Sequence, residues 1–169
     1  MRSASHYVEC LMNLHRDVDP HYWGNETLGK APHKPLLLLC VFDLYAAYPT
    51  RTNCIEPTLY LESTFESYWQ KVYGVDPDTT FSLPFFHLQT DGFWHLVPHS
   101  IESGIDPRAR RTPQALRQEV LFAYLDESFH SLLQISQWLS HFRSVIIALH
   151  FAPAVHERLL SNTTELHSD

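Results

Sequence analysis

Residues 29–42 read GKAPHKPLLLLCVF, and this stretch decides how the chain folds. The run LLLLCVF at 36–42 is apolar on every side, and a helix that is apolar all round is a buried helix. Pro35 suits the first turn of that helix, because a backbone N–H has no intrahelical partner there. We therefore expect a central core helix from Pro35 to about Tyr48. The connection before it, over residues 17–34, has the length of a functional loop.

Apolar spacing and turn residues predict the elements on either side of this helix. The pair Asp91-Gly92 favours a hairpin turn, since it tolerates positive φ. The segment Leu116–Leu125 fits a helix or a strand, and both stay open. The other predicted elements are a helix over Ser5–Arg16, an extended piece over Cys54–Glu56, a helix over Pro57–Tyr73, hairpin arms over Phe81–Gln89 and Phe93–Val97, helices over Asp126–Leu133 and Ile135–His150, and a short helix from Pro153. The predicted fold class is α+β, a helix-rich single domain with a small antiparallel sheet.

Composition excludes several classes of protein. The chain has 169 residues, 44% of them apolar, which predicts one domain with a real core and not a disordered chain. Its 12 lysines and arginines against 19 acidic residues give a net charge of −7, which argues against a general polyanion binder. Three cysteines without a CxxC pair, no signal segment and no membrane-spanning run predict a cytoplasmic protein. We expect a domain over residues 1–160 and a polar tail over 161–169 that begins a linker.

Motifs for catalysis are missing from the sequence. It has no Gly-x-Ser-x-Gly elbow, no His-Glu-x-x-His and no P-loop. His87, His95 and His99 share one region, but Pro98 breaks any helix that would bring the last two to one face. Ordinary surface and strand histidines are therefore the stronger interpretation, and a zinc site the weaker one. We predict no metal, no cofactor and no catalytic residue, so that the isolated chain is not an enzyme.

Four polar segments are candidates for a binding surface, although each also fits a plain loop or core hairpin. Cationic side chains bind phosphates, and amide and hydroxyl side chains read base edges. The candidate phosphate contacts are Lys30, His33, Lys34, Arg108, Arg110 and Arg111. The candidate base-reading loop is Thr50, Arg51, Thr52 and Asn53. Alternate residues of a hairpin face the same way, so His87 and Gln89 are secondary candidates for facing DNA.

The order of these segments resembles that of a known family. APHKP at 31–35 precedes a leucine run, a polar turn follows, PFFHL at 84–88 stands before DGFW at 91–94, and YLDE occupies 124–127. This order resembles the sulfur-binding domain of phosphorothioation-dependent McrA-type restriction endonucleases. That family binds DNA in which sulfur replaces a non-bridging phosphate oxygen.

The resemblance implies a site and partners. It implies a sulfur pocket at Ala31, Pro32 and Pro35 and a loop at 49–53 that enters the major groove. It further implies phosphorothioate-modified double-stranded DNA as the partner, bacterial defence by restriction as the role, and an HNH nuclease domain C-terminal to this one. A homodimer stays open. The chain departs from the family in having Ala31 where one branch has an aromatic residue, and a single arginine in the groove loop.

The chemistry of sulfur supports this interpretation independently of the family. Sulfur is large, polarisable and weakly hydrated, whereas a phosphate oxygen holds water tightly. An apolar pocket therefore costs little for sulfur, but leaves an oxygen unpaired at a cost of about 1–3 kcal/mol. Two other functions remain open from the sequence, a modified-base reader with an aromatic cage and a protein-interaction domain that uses Trp94.

Overall fold

The computed structural model describes the backbone of residues 1–165 and the side chains of residues 1–160. The helices are α1 (Ala4–Met12), α2 (Pro20–Trp23), α3 (His33–Ala47), α4 (Leu59–Tyr73), α5 (Ser82–His87), α6 (Pro113–Glu119), α7 (Glu127–Leu133), α8 (Ser136–His150) and α9 (Pro153–Glu165). Two 3₁₀ turns cover Leu88–Asp91 and Pro107–Arg110, and two strands, β1 (Trp94–Pro98) and β2 (Val120–Leu125), form an antiparallel sheet. The predicted α+β class and single helix-rich domain are confirmed.

Helix α3 is the centre of the core, as its apolar run predicts. Every residue from His33 to Tyr45 is buried, and α4, α5 and α8 pack around the helix. It begins two residues before Pro35, which therefore lies in the first turn where its missing N–H is harmless. No helix within the described residues is long and apolar enough to cross a membrane.

One buried polar network ties α3 to its neighbours. Arg143 of α8 donates from Nη1 to Asp43 Oδ1 of α3 at 2.7 Å and from Nη2 to the Tyr68 hydroxyl of α4 at 2.9 Å. Tyr68 in turn donates to the second oxygen of Asp43. Arg143 Nη2 also donates to the carbonyl of Leu159 in α9, at 3.1 Å. Because unpaired buried charges are costly, this network holds the four helices in one arrangement.

The predicted hairpin between Phe81–Gln89 and Phe93–Val97 is wrong. The first arm folds as α5 and a 3₁₀ turn, and Gly92 ends that turn with φ at +90°. Phe81, Phe85 and Leu88 are buried at a spacing of four and then three residues, which is the period of a helix. Strand β1 pairs instead with β2, so that Trp94 lies opposite Leu125.

Several other predicted bounds change because of capping residues. Helix α1 ends at Met12 and not at Arg16, since Asn13 Nδ2 donates to the Glu9 carbonyl at 2.9 Å. Helix α4 begins at Leu59 because Thr58 accepts from the Leu61 N–H as its N-cap.

The remaining segments differ from expectation to different degrees. The predicted connection over residues 17–34 contains the short helix α2. The ambiguous segment over 116–125 is divided between α6 and β2, and the extended piece at 54–56 forms a bridge between Ile55 and Ala123. Helix α9 continues through residues 161–165 of the predicted tail, and residues 166–169 lie outside the described residues.

Candidate nucleic-acid interface

A surface hollow of about 370 Å³ opens where the first turns of α3 and α5 meet. The connection between α1 and α3 forms its third wall. The lining residues are His15, Arg16, Asp17, Trp23, Ala31, His33, Lys34, Leu83, Pro84, His87 and Thr90. Carbon atoms of alanine, leucine, proline and tryptophan therefore lie beside charged side chains of both signs, those of Arg16, Lys34 and Asp17. An apolar wall beside a cation suits an anion with a weakly hydrated part.

The connection before α3 is shaped by backbone pairing. The Ala31 N–H donates to the Asp17 carbonyl at 2.8 Å, and Val18 forms a bridge with Lys30. Gly29 has φ of +75°, and a Cβ atom there would lie 3.2 Å from the Cα atom of Pro20. Only glycine tolerates this conformation and this approach together, so Gly29 lets the connection fold back and place Ala31 at the hollow.

Arg16 is fixed at the wall of the hollow by two acceptors. Its Nε donates to the Ala31 carbonyl at 2.6 Å, and its Nη1 donates to Nδ1 of His150. Its Nη2 is buried without a hydrogen-bond partner. Burial lowers the pKa of Arg16 to about 10, so the guanidinium still carries its charge at neutral pH. No acidic side chain among residues 1–160 forms an ion pair with it.

Two buried histidines near Arg16 are held neutral: His33, which lines the hollow, and His150, which bonds to Arg16. Burial lowers the pKa of His33 to about 4, and its ring centroid lies 5.2 Å from that of Trp23 and 5.4 Å from that of Trp69. His150 has a pKa of about 4 for the same reason. Its Nδ1 accepts from Arg16 and its Nε2 donates to the Leu11 carbonyl, which leaves no place for a second proton. The predicted phosphate contact His33 is therefore uncharged.

The positive charge of Lys34 is balanced within the fold by an ion pair with Asp91. Its Nζ lies 2.5 Å from Asp91 Oδ2 and 3.3 Å from the Thr90 hydroxyl. The Lys34 side chain is 9% exposed and the Asp91 side chain 2%. The other oxygen of Asp91 accepts from the backbone N–H of His15 at 2.8 Å. Lys34 thus connects the first turn of α3 to the turn after α5 and adds little net charge to the surface.

The predicted pocket residues lie partly at the hollow and partly beneath it. Ala31 lines the hollow, whereas Pro32 and Pro35 are buried and are not among the lining residues. The proline at the hollow is Pro84, next to Leu83 in the first turn of α5.

The arginine segment, which comprises Arg108, Arg110 and Arg111, lies close to α5. The Ser82 hydroxyl donates to the Arg110 carbonyl at 3.1 Å, and the positive charges of Lys34 and Arg110 reinforce burial in lowering the pKa of His87. Arg108 pairs with Asp106 at 2.8 Å. Arg110 and Arg111 form no ion pair with any side chain that the structure describes. Exposed Lys30, at the end of the connection before α3, adds another positive charge to this side of the domain.

The predicted base-reading loop lies at the other end of α3. This helix has 15 residues, which corresponds to about 22 Å. Arg51 Nη2 donates to the Cys54 carbonyl at 3.0 Å, and the guanidinium carbon lies 5.5 Å from the centre of the Tyr45 ring. Asn53 donates to the Leu125 carbonyl at 2.7 Å and accepts from the Leu125 N–H at 2.9 Å. Thr50 and Thr52 are the exposed members of the loop.

The histidines considered as metal ligands are separated. His87 lines the hollow, His95 Nε2 lies 2.7 Å from Asp126 Oδ1, and His99 Nε2 bonds to the carbonyl of Arg117. Within the described residues no group of three or more metal-ligating side chains is arranged to hold a metal ion. Gln89 is exposed in a 3₁₀ turn and does not line the hollow with His87, because the predicted strand geometry is absent.

Sequence reasoning missed four lining residues that matter. Leu83 and Pro84 begin a segment that was interpreted as a strand, and the helical spacing of Phe81, Phe85 and Leu88 was the signal that could have corrected this. Arg16 was placed inside α1, although Asn13 is a residue type that ends helices. Nothing in the local sequence marked Trp23 as a wall of the hollow.

The fold is a small helix-rich domain with an apolar surface hollow that Arg16 borders. The chain belongs to the family of ScoMcrA-like DNA sulfur-binding domains, whose family model matches residues 10–167. The family resemblance found in the sequence is thereby confirmed.

The chain also resembles a solved structure, that of the Type IV phosphorothioation-dependent restriction endonuclease ScoMcrA, with a TM-score of 0.56 and 20% sequence identity. The match covers 95% of this chain and 33% of ScoMcrA, so the chain spans about a third of that protein's length. At this identity the likeness shows the shared fold. No curated protein matches the chain.

Proposed function

We propose that this domain binds duplex DNA containing a phosphorothioate linkage and that the sulfur enters the hollow between α3 and α5. The observation that carries the proposal is the pairing, in one hollow, of an apolar wall with the half-buried guanidinium of Arg16, which forms no ion pair with a side chain of residues 1–160. Membership of a DNA sulfur-binding family supports the choice of ligand. The wall comprises Ala31, Leu83, Pro84 and Trp23, with Arg16 beside it.

Discrimination between sulfur and oxygen follows from hydration. A thio group loses little on leaving water for a wall of methyl, methylene and indole groups. A phosphate oxygen in the same position loses its water and finds few donors, which costs about 1–3 kcal/mol, or roughly ten- to a hundredfold in affinity. The prolines and the packed first turns fix the hollow before DNA arrives, so little conformational entropy is lost on binding.

The negative charge of the linkage and its neighbours is met by cations around the hollow. Arg16 is already desolvated and lacks an anionic partner, so an anion that enters the hollow restores a favourable interaction at no further cost of burying the cation. Lys30, Arg110 and Arg111 contact flanking phosphates in this arrangement. Lys34 maintains the shape of the site through Asp91, and neutral His33 supplies a ring and not a charge.

The loop at 49–53 contacts DNA through Thr50 and Thr52 in this proposal. Arg51 and Asn53 hold the loop in shape, because their polar groups bond to Cys54 and Leu125. Base reading by two hydroxyl groups is less selective than reading by bidentate arginine or asparagine. We therefore place most of the specificity in the modified linkage.

In this proposal, binding to the modified linkage directs a larger protein to the DNA that carries it. The domain corresponds to a third of ScoMcrA, a restriction endonuclease by its description. We propose that cleavage resides in a nuclease domain elsewhere in the same protein, and that this domain, without catalytic residues of its own, targets that nuclease.

A matched pair of duplexes that differ by one sulfur atom tests the proposal. Fluorescence anisotropy at 100 mM salt should give affinity about ten- to a hundredfold higher for the sulfur-containing duplex. A third duplex with a methylphosphonate at the same linkage separates the apolar contribution from the charge. Equal affinity for the sulfur-containing and unmodified duplexes contradicts the proposal. A preference for a base-methylated duplex without sulfur would favour the modified-base reader instead.

A further inference from the structure

A second cavity, of about 340 Å³, is lined by aromatic side chains and shares Trp23 with the hollow. Tyr22 and Trp23 of α2 form one part of its wall, with ring centroids 4.6 Å apart and ring planes nearly perpendicular. Trp69 and Tyr73, one turn apart on α4, form another part, with centroids 5.0 Å apart. Four aromatic rings from two helices thus surround one space.

Two carboxylates stand among these rings. Asp76 and Asp78 line the cavity, and both residues are exposed. Their hydrogen-bond donors are neutral, since Gln70 Nε2 donates to Asp76 and the Tyr22 hydroxyl donates to Asp78 at 3.2 Å. Neither carboxylate forms an ion pair with any side chain of residues 1–160. The cavity therefore combines π-electron density with two uncompensated negative charges.

We propose that this aromatic cavity binds an organic cation, an alkylated ammonium or a guanidinium group carried on an alkyl chain. The face of an aromatic ring attracts such cations, and Trp and Tyr are the strongest of these partners. The carboxylates add Coulomb attraction, and the apolar walls receive the alkyl groups. A hydrated metal ion would find only two carboxylates and no closed set of ligands.

DNA is the wrong ligand for this cavity. A base that entered it would bring its own phosphates towards Asp76 and Asp78, and like charges repel. The hollow contains Arg16, which forms no ion pair with a side chain of residues 1–160, whereas the aromatic cavity contains two carboxylates, although Trp23 lines both. The cation site is consequently separate from the proposed DNA site and does not depend on it.

Choline and its neutral isostere 3,3-dimethylbutan-1-ol provide a direct test. Titration followed by tryptophan fluorescence and by NMR of the probe should show binding of choline and at least about tenfold weaker binding of the alcohol. Tyr22→Ala and Asp78→Asn, both at exposed positions, should each weaken choline binding about three- to tenfold. Tyr48→Ala is the matched control, because Tyr48 is 63% exposed and Tyr22 64%, and it should leave the affinity unchanged.

Two further probes identify the source of the cation. Preference for spermidine assigns the site to free polyamines, whereas preference for a short blocked peptide with one arginine assigns it to a basic side chain of a protein. Equal binding of choline and its neutral isostere would overturn the proposal, as would unchanged choline affinity in Tyr22→Ala. Binding of a methylated nucleoside in place of every cation would also overturn it and would identify a base pocket.

Discussion

The two ends of α3 are built from similar residue types but are organised in opposite ways. At its N-terminal end, Arg16 and the apolar side chains of Ala31 and Pro84 border an open hollow. At its C-terminal end, Arg51 and Asn53 direct their polar groups to the backbone of Cys54 and Leu125. Neither Arg16 nor Arg51 forms an ion pair with a side chain of residues 1–160, and each has one buried guanidinium nitrogen without a partner. The two ends differ in that Arg16 borders the apolar hollow, whereas Arg51 lies over the Tyr45 ring.

This difference shows that residue type alone does not define a binding surface. An arginine contributes to recognition when it borders an accessible apolar hollow and its position is fixed before the ligand arrives. An arginine bonded to backbone carbonyls and lying beside a tyrosine ring stabilises the loop that carries it. The two ends contain similar residue types. They differ in whether the neighbouring elements leave a hollow beside the arginine.

Acid should lower the free energy of unfolding of the domain through His33 and His150, the two buried histidines near the N-terminal end of α3. His33 and His150 have folded-state pKa values of about 4, so between pH 6.5 and 4 the unfolded chain binds protons that the folded chain does not. Their contribution to stability is present above pH 6.5 and is lost as pH falls. From pH 7 to 5 the two together should lower the free energy of unfolding by about 3–4 kcal/mol. Urea denaturation at several pH values measures this, and His150→Gln should reduce the pH dependence by about half. An unchanged slope in that variant would contradict the assignment of His150.

A carboxylate placed in the hollow should abolish preferential binding. Leu83→Asp puts a charge into the apolar wall at the first turn of α5, where helices tolerate aspartate, so the fold should be retained. The affinity for the sulfur-containing duplex should fall by about a hundredfold through repulsion and loss of the apolar contact. Thr52→Asp provides the comparison at the other end of α3 and should cost no more than about threefold. A larger loss for Thr52→Asp would place the main contact at the loop.

Substitutions of the two half-buried arginines, Arg16 and Arg51, should have different effects in the same assay. Arg16→Gln should lower affinity for the sulfur-containing duplex about tenfold and reduce the slope of log affinity against log salt by about one. Arg51→Gln should change both quantities little, because Arg51 lies beyond the other end of the 15-residue helix α3, about 22 Å along its axis from the hollow. Circular dichroism confirms that each variant remains folded. The reverse ranking would move the cationic centre of the site to the C-terminal end.

The smallest effect is expected at the exposed arginine segment. Arg111→Ala should weaken binding about two- to threefold for sulfur-containing and unmodified duplexes alike, because a phosphate contact carries no information about the sulfur. Arg108→Ala should have less effect, since its charge is paired with Asp106. A selective loss for the sulfur-containing duplex in Arg111→Ala would show that this residue contacts the modified linkage itself.

Much of the fold was predictable from local patterns. The apolar run of α3 could only be a buried helix, and the spacing in α4, α7 and α8 placed each helix within about two residues of its bounds. The segment Phe81–Gln89 was misassigned because an Asp-Gly pair also ends a 3₁₀ turn. The partner of β1 is β2, which is distant in sequence, and no local signal selects between two possible strand partners.

The candidate site was predictable only in part. Of the three residues predicted for the sulfur pocket, Ala31 lines the hollow, and the order of the motifs identified the family. The hollow itself is formed where α5 meets the first turn of α3, so Pro84 and Leu83 could not be assigned to it without knowledge of that contact. Arg16 and Trp23 enter the site because the connection before α3 folds back at Gly29.

The amino-acid sequence by itself determined the buried helix, the family and the absence of a strongly basic surface, because each depends on residue type and spacing along the chain. Tertiary structure alone decided which arginine and which proline line the hollow and which lysine is paired with a carboxylate. Those properties depend on distances between residues far apart in sequence, and distance determines desolvation and Coulomb energy. Only the folded arrangement specifies them.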